Sequence, residues 1–207
     1  MAAAPSSEPS SAPSSAPASA SSSGPCGSEL MDILCDFISE ESDMPNLQER
    51  FNLLKPTIDA INNDEDPILR PVLDFFDALF FSDRMAECNA VAVFAEMPPL
   101  RMGWSQHYPT GYLISINYLH GATTSRDGEP MSRADAVLGT LLHECIHVYN
   151  MGMPCDDPDQ PCDLPSLGMH AAFAPTGHGP YFDKVARALE AAAARLGLPL
   201  TLNVIDY

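Results

Sequence analysis

Two histidines four residues apart, with a glutamate beside the first, stand in Leu141-Leu142-His143-Glu144-Cys145-Ile146-His147-Val148-Tyr149. On a helix, positions i and i+4 share one face, so His143 and His147 can point at a single ion. Neutral imidazole suits Zn²⁺, and a catalytic zinc takes three protein ligands plus a water. Glu144 is placed to take a proton from that water rather than to bind the metal. Three fixed letters also arise by chance, so the setting of the motif matters. Residues 134–151 repeat apolar side chains at Ala134, Val137, Leu138, Leu141, Leu142, Cys145 and Val148, the pattern of a helix with a broad buried face. Two histidines in so apolar a helix need a partner, and a metal answers that need.

A third ligand must come from elsewhere. Four histidines lie outside the motif: His107, His120, His170 and His178. His107 and His120 fall in an expected strand and loop and read as surface residues. His178 stands in Thr176-Gly177-His178-Gly179-Pro180-Tyr181-Phe182, at the mouth of the last helix, where flanking glycines let the backbone approach closely. His170 precedes it by eight residues. His178 is the favoured ligand; Tyr149 and His170 are auxiliary groups that could assist an oxyanion, unless Tyr149 only packs against its own helix.

The elements that must position these residues follow from periodicity and punctuation. Residues 1–27, rich in Ser, Ala and Pro, cannot bury a core and are expected to be disordered. From Ser28, the spacing of Leu30, Ile33, Leu34, Phe37 and Ile38 predicts an amphipathic helix, followed by another around Leu47–Ile61. Asp64-Glu65-Asp66 reads as a solvated turn, since the ligand spacing of an EF-hand is missing. Residues 68–81 are dense in large apolar groups and form a core helix with Pro71 at its start. Short strands are expected at 91–94, 100–106 and 112–117, then a loop over 119–133. Ser132 caps the motif helix, with Asp135 three residues on. Residues 151–179 are irregular; their Cys155–Cys162 stretch reads as an acidic loop rather than a zinc knuckle, and length and charge suggest an autoinhibitory lid over 151–176. A helix over 180–197 and a strand over 201–205 close the chain.

The 28 acidic and 10 basic side chains give a net charge of −18. Such a surface repels nucleic acid and anionic membrane, so neither is the default partner. No apolar run reaches the length of a membrane span. Six cysteines without a secretory leader pattern point to reduced thiols and to an intracellular protein, nuclear or cytoplasmic.

The paired motifs, His143-Glu144-Cys145-Ile146-His147 and Gly177-His178-Gly179-Pro180-Tyr181-Phe182, together resemble the SprT-like (Spartan-type) zinc metalloprotease domain family. Phe75–Phe81, Arg101-Met102-Gly103 and Ile114-Ser115-Ile116-Asn117 are similar to the family's flanking helix and strand signals. The resemblance covers roughly residues 70–207. It implies an α+β fold, a minimal zincin-like domain with a small antiparallel or mixed sheet packed on the H-E-x-x-H helix, with extra helices at its N-terminal side. The expected organisation is a tail (1–27), an acidic helical extension (28–73) and a metalloprotease domain (74–207). It further implies zinc on His143, His147 and His178, Glu144 as the catalytic base, a protein substrate, and DNA as a partner for substrates crosslinked to it. The charge opposes the DNA part: residues 74–207 carry 16 acids against seven bases, and no basic patch. Two rival expectations are a non-catalytic adaptor, zinc-stabilised and binding a protein partner through its acidic surface, and an esterase or other hydrolase using the same zinc chemistry.

Overall fold

A computed structural model describes residues 27–40, 46–121, 123–124, 128, 130–152, 178–198, 200 and 202. Its organising element is helix α6 (Arg133–Gly152), in which all but six residues are buried. The helix begins where the sequence places its cap. The Asp135 N–H donates to Ser132 Oγ (3.1 Å), and the Ser132 N–H donates back to Asp135 Oδ2 (3.3 Å), so two otherwise unpaired donors are satisfied reciprocally.

A three-stranded sheet of β1 (Val91–Ala95), β2 (Gly103–Tyr108) and β3 (Gly111–Asn117) lies against this helix through β2 and β3. Their order is β1-β3-β2, with β1 parallel and β2 antiparallel to β3, so the sheet is mixed. A two-residue turn joins β2 to β3, which makes Tyr108 and Gly111 a hydrogen-bonded closing pair. By alternation, the backbone groups of Gly103, Ser105 and His107 then point to the outer edge of β2. Ala92, Ile114 and Ile116 bury one face of the sheet, while Val91, Val93 and Trp104 stand exposed on the other. A small hairpin, β4 (Thr123–Thr124) with β5 (Pro130–Met131), occupies part of the stretch expected to be loop.

The helices before the sheet are α1 (Gly27–Glu40), α2 (Leu47–Asn52), α3 (Lys55–Asn62), α4 (Arg70–Phe76) and α5 (Arg84–Glu87). The 68–81 run is not one regular helix: α4, with a proline in its first turn, widens into a π-helical turn over Asp77–Phe81. Asp77 explains the change. Its carboxylate is buried and accepts from the N–H groups of Met85 (2.8 Å) and Ala86 (2.9 Å), which ties the run to the start of α5. Burial raises the Asp77 pKa, against the pull of these two donors.

Helix α7 (Pro180–Arg195) packs on both α1 and α6. Lys184 pairs with Asp32 of α1. Leu34, Ile38, Leu54 and Ile61 join Phe76, Phe80, Leu141, Val185 and Leu189 in one apolar cluster. The expected division between extension and domain at 73/74 falls inside α4, and the core is continuous across it. Ile33, expected inward, is exposed, while its helix neighbours Leu34 and Ile38 are buried. Of the expected strand over 201–205, only Leu202 is among the described residues, and it lies outside any strand. No helix among the described residues is long and apolar enough to cross a membrane.

Candidate metal centre

The four-residue spacing on α6 brings His143 and His147 side by side, with Nε2 atoms 3.2 Å apart. His178 reaches them from the other direction. Gly179, in extended backbone, caps α7, and Pro180 sits in the first turn of that helix. The His178 Nε2 lies 2.9 Å from that of His143 and 3.2 Å from that of His147. Phe182, fully buried one turn into α7, backs all three rings, with centroids 4.7, 4.9 and 4.7 Å from His143, His147 and His178.

This triangle has the spacing of a group that could hold a metal ion. Each Nε2 carries either a proton or a lone pair, so three mutual contacts cannot all be hydrogen bonds. Nitrogens held about 2.0–2.1 Å from a tetrahedral ion sit about 3.3 Å from one another, close to the spacing found. Burial lowers the pKa of all three imidazoles: His143 well below the usual histidine value, His147 to about 4, and His178 to a lesser extent. For His143 the neighbouring His147 and His178 add to this, and for His147 the neighbouring His178 does. Each ring is therefore neutral at pH 7, with one nitrogen lone pair to offer. The His143 ring donates to the Leu202 carbonyl, which fixes its orientation. The three histidines form a group able to hold a metal ion. A four-coordinate ion on three imidazoles keeps one position open.

Glu144 points from the same helix toward β2. It is 6% exposed, and its carboxylate accepts from the Ser105 hydroxyl and backbone N–H. Burial raises its pKa from 4.5 to about 7, partly offset by Ser105 and by the Arg101 guanidinium. The side chain passes beneath Gly103: a Cβ there would stand 2.8 Å from Glu144 Oε1 and 2.7 Å from Thr140 Cγ2. Glycine at 103 is what lets the strand lie so close. Arg101 also stacks over Trp104, 4.4 Å from the ring centre.

The remaining sequence expectations divide. Tyr149 is buried with its ring 5.9 Å from Phe81, in the core, which matches the packing reading of that residue. His170, Cys155 and Cys162 lie outside the described residues. His107 is exposed and rests on Tyr112, as expected of a surface histidine. His120 corrects the expectation: it is buried, with Nε2 2.8 Å from Thr140 Oγ1, because the chain after β3 folds back onto α6. Ser105, the partner of Glu144, carried no sequence signal beyond its place in a strand. Asn150, one turn beyond His147, carries one: a polar side chain on the histidine stripe.

Comparison with protein-family models, with curated proteins and with solved structures finds no match.

Proposed function

We propose that this chain is a zinc-dependent endopeptidase of the SprT-like kind, with His143, His147 and His178 as ligands and Glu144 as general base. The observation that carries the proposal is the triangle of Nε2 atoms 2.9–3.2 Å apart, on a helix that also holds a buried carboxyl with a pKa near 7. Neutral imidazoles in this number suit zinc. Bound there, Zn²⁺ would supply Lewis acidity toward a peptide carbonyl and make water acidic enough to deprotonate near neutral pH. Glu144 receives the proton of the attacking water and delivers it to the leaving amine, a task for which a pKa near 7 is well matched. Ser105 holds the carboxylate in place through two hydrogen bonds. Phe182 keeps the three imidazoles from turning away.

The test is cleavage of casein by the zinc-loaded protein and by Glu144→Gln, with and without single-stranded DNA. Cleavage lost in the variant is the expected result. A requirement for DNA would assign crosslinked or chromatin proteins as substrates in spite of the −18 charge. Zinc bound with no cleavage under any condition would favour the adaptor reading, for which the exposed Val91, Val93 and Trp104 offer an apolar docking face beside the acidic surface.

Gly103→Ala probes the same site from the strand side. The added methyl forces β2 or the Glu144 carboxylate to move, and a displacement of about 1 Å at a reacting group costs on the order of 100-fold in rate. We expect kcat/KM for a peptide substrate to fall by that order while zinc content stays unchanged. Full activity in Gly103→Ala would mean that Glu144 does not act from this position.

A further inference from the structure

Asn150 follows the two histidines on one stripe of α6, since 143, 147 and 150 are i, i+4 and i+7. At about 100° per residue, Asn150 lies within about 20° of His143, and Glu144 stands about 100° away on the opposite flank. The Asn150 side chain is 5% exposed, and neither its Nδ2 nor its Oδ1 has a hydrogen-bond partner among the described residues. One further buried side-chain atom there shares this condition: Nδ1 of His178. The His178 ring lies against those of His143 and His147, with centroids 4.9 and 5.1 Å apart, and Asn150 stands on the helical stripe that carries these two histidines.

An imidazole that offers its Nε2 lone pair to a metal carries its proton on Nδ1. That N–H almost always donates to a carboxylate, a carbonyl or a water, and its acceptor sets the tautomer and the angle of the ring. His143 has such an acceptor in the Leu202 carbonyl. A buried amide left unpaired destabilises a fold, and leucine, of similar shape, would avoid this. We propose that Asn150 is the positioning residue for His178: its side-chain oxygen takes the Nδ1 proton through one bridging water and so holds Nε2 toward the metal. A water between His178 Nδ1 and the Asn150 amide would have the two or more polar partners that an internal water needs. The inference rests on the three-histidine metal reading.

Zinc affinity by chelator competition tests it, on the wild type, Asn150→Leu and Asn150→Asp. We expect Asn150→Leu to bind zinc 10- to 100-fold more weakly, with the metal-free thermal midpoint unchanged or raised. Asn150→Asp, which keeps the acceptor, should stay within a few-fold of the wild type. The tautomer of His178, read by ¹⁵N NMR of the metal-free wild type, tests the proposal without a substitution: a proton on Nδ1 is expected, and one held on Nε2 overturns it. A wild type that binds zinc with an Asn150→Leu variant that binds it equally well also overturns the proposal, and leaves the metal centre standing. A wild type that binds no zinc removes the metal centre and this inference with it.

Discussion

Glu144→Gln is expected to abolish peptide cleavage and, in the metal-free protein at pH 8, to make the fold more stable. The first effect follows from the role of general base proposed for Glu144, worth about 10²- to 10⁴-fold in rate. The second follows from burial. A carboxyl whose pKa rises from 4.5 unfolded to about 7 folded holds its proton more tightly in the folded chain. Between those values unfolding releases protons, so stability falls as pH rises through the window and remains lower above it. The difference corresponds to about 3 kcal/mol. The histidines act oppositely: His147, lowered from 6.5 to about 4, adds stability as pH rises between those values, in wild type and variant alike. Subtracting one protein from the other leaves the glutamate. Urea unfolding with chelator present should therefore show Glu144→Gln more stable by up to about 3 kcal/mol at pH 8 and nearly equal to the wild type at pH 4.5. A pH-independent difference would show that the carboxyl is not held as described.

Arg133→Ala is expected to cost the protein a large part of its stability. Arg133, 7% exposed, stands in the first turn of α6, where a positive charge is unfavourable to the helix dipole. Its guanidinium is nevertheless satisfied by distant chain. It donates to the carbonyls of Ile61 (2.8 Å), Glu65 (2.9 Å), Tyr118 (3.0 Å) and His120 (2.9 Å), and to the Asp66 carboxylate (2.9 Å). One side chain thus fastens the α3–α4 turn and the chain after β3 to the helix that carries His143 and His147. Removing it strips these carbonyls of their donor inside the fold, and breaking a buried charged network of this kind costs about 3–5 kcal/mol. Lysine would not replace it, because five donors in a planar fork become three on a point charge. Thermal unfolding of Arg133→Ala and Arg133→Lys checks this, with both expected to melt well below the wild type. A midpoint within two or three degrees of the wild type would show that the network contributes little.

The legible parts of this fold are those whose causes are local. His143 and His147 were readable because helical spacing alone aligns them. The Ser132–Asp135 cap was readable because both partners lie within one turn, and β1 and β3 because apolar residues alternate. His178 was readable from its glycine-flanked setting and the paired motifs. What escaped depends on chain brought from far away. The burial of His120 requires Thr140 and Arg133 to fold over it. The π-helical turn at Asp77 answers to backbone donors eight and nine residues later, which an apolar run does not reveal. The β4–β5 hairpin has only two residues in each strand, too few for alternation to register. The turn at 64–66, read as merely solvated, is an anchor for Arg133, a role invisible without the helix it binds.

The most direct test of the metal centre is the zinc content of the purified protein, compared with that of His178→Ala. The two histidines of α6 alone make a poor site, so the third imidazole decides the matter. One zinc per chain in the wild type, with little or none in a folded His178→Ala, is the expected result. Equal zinc in the two proteins, or none in the wild type after refolding with the metal, would contradict the account.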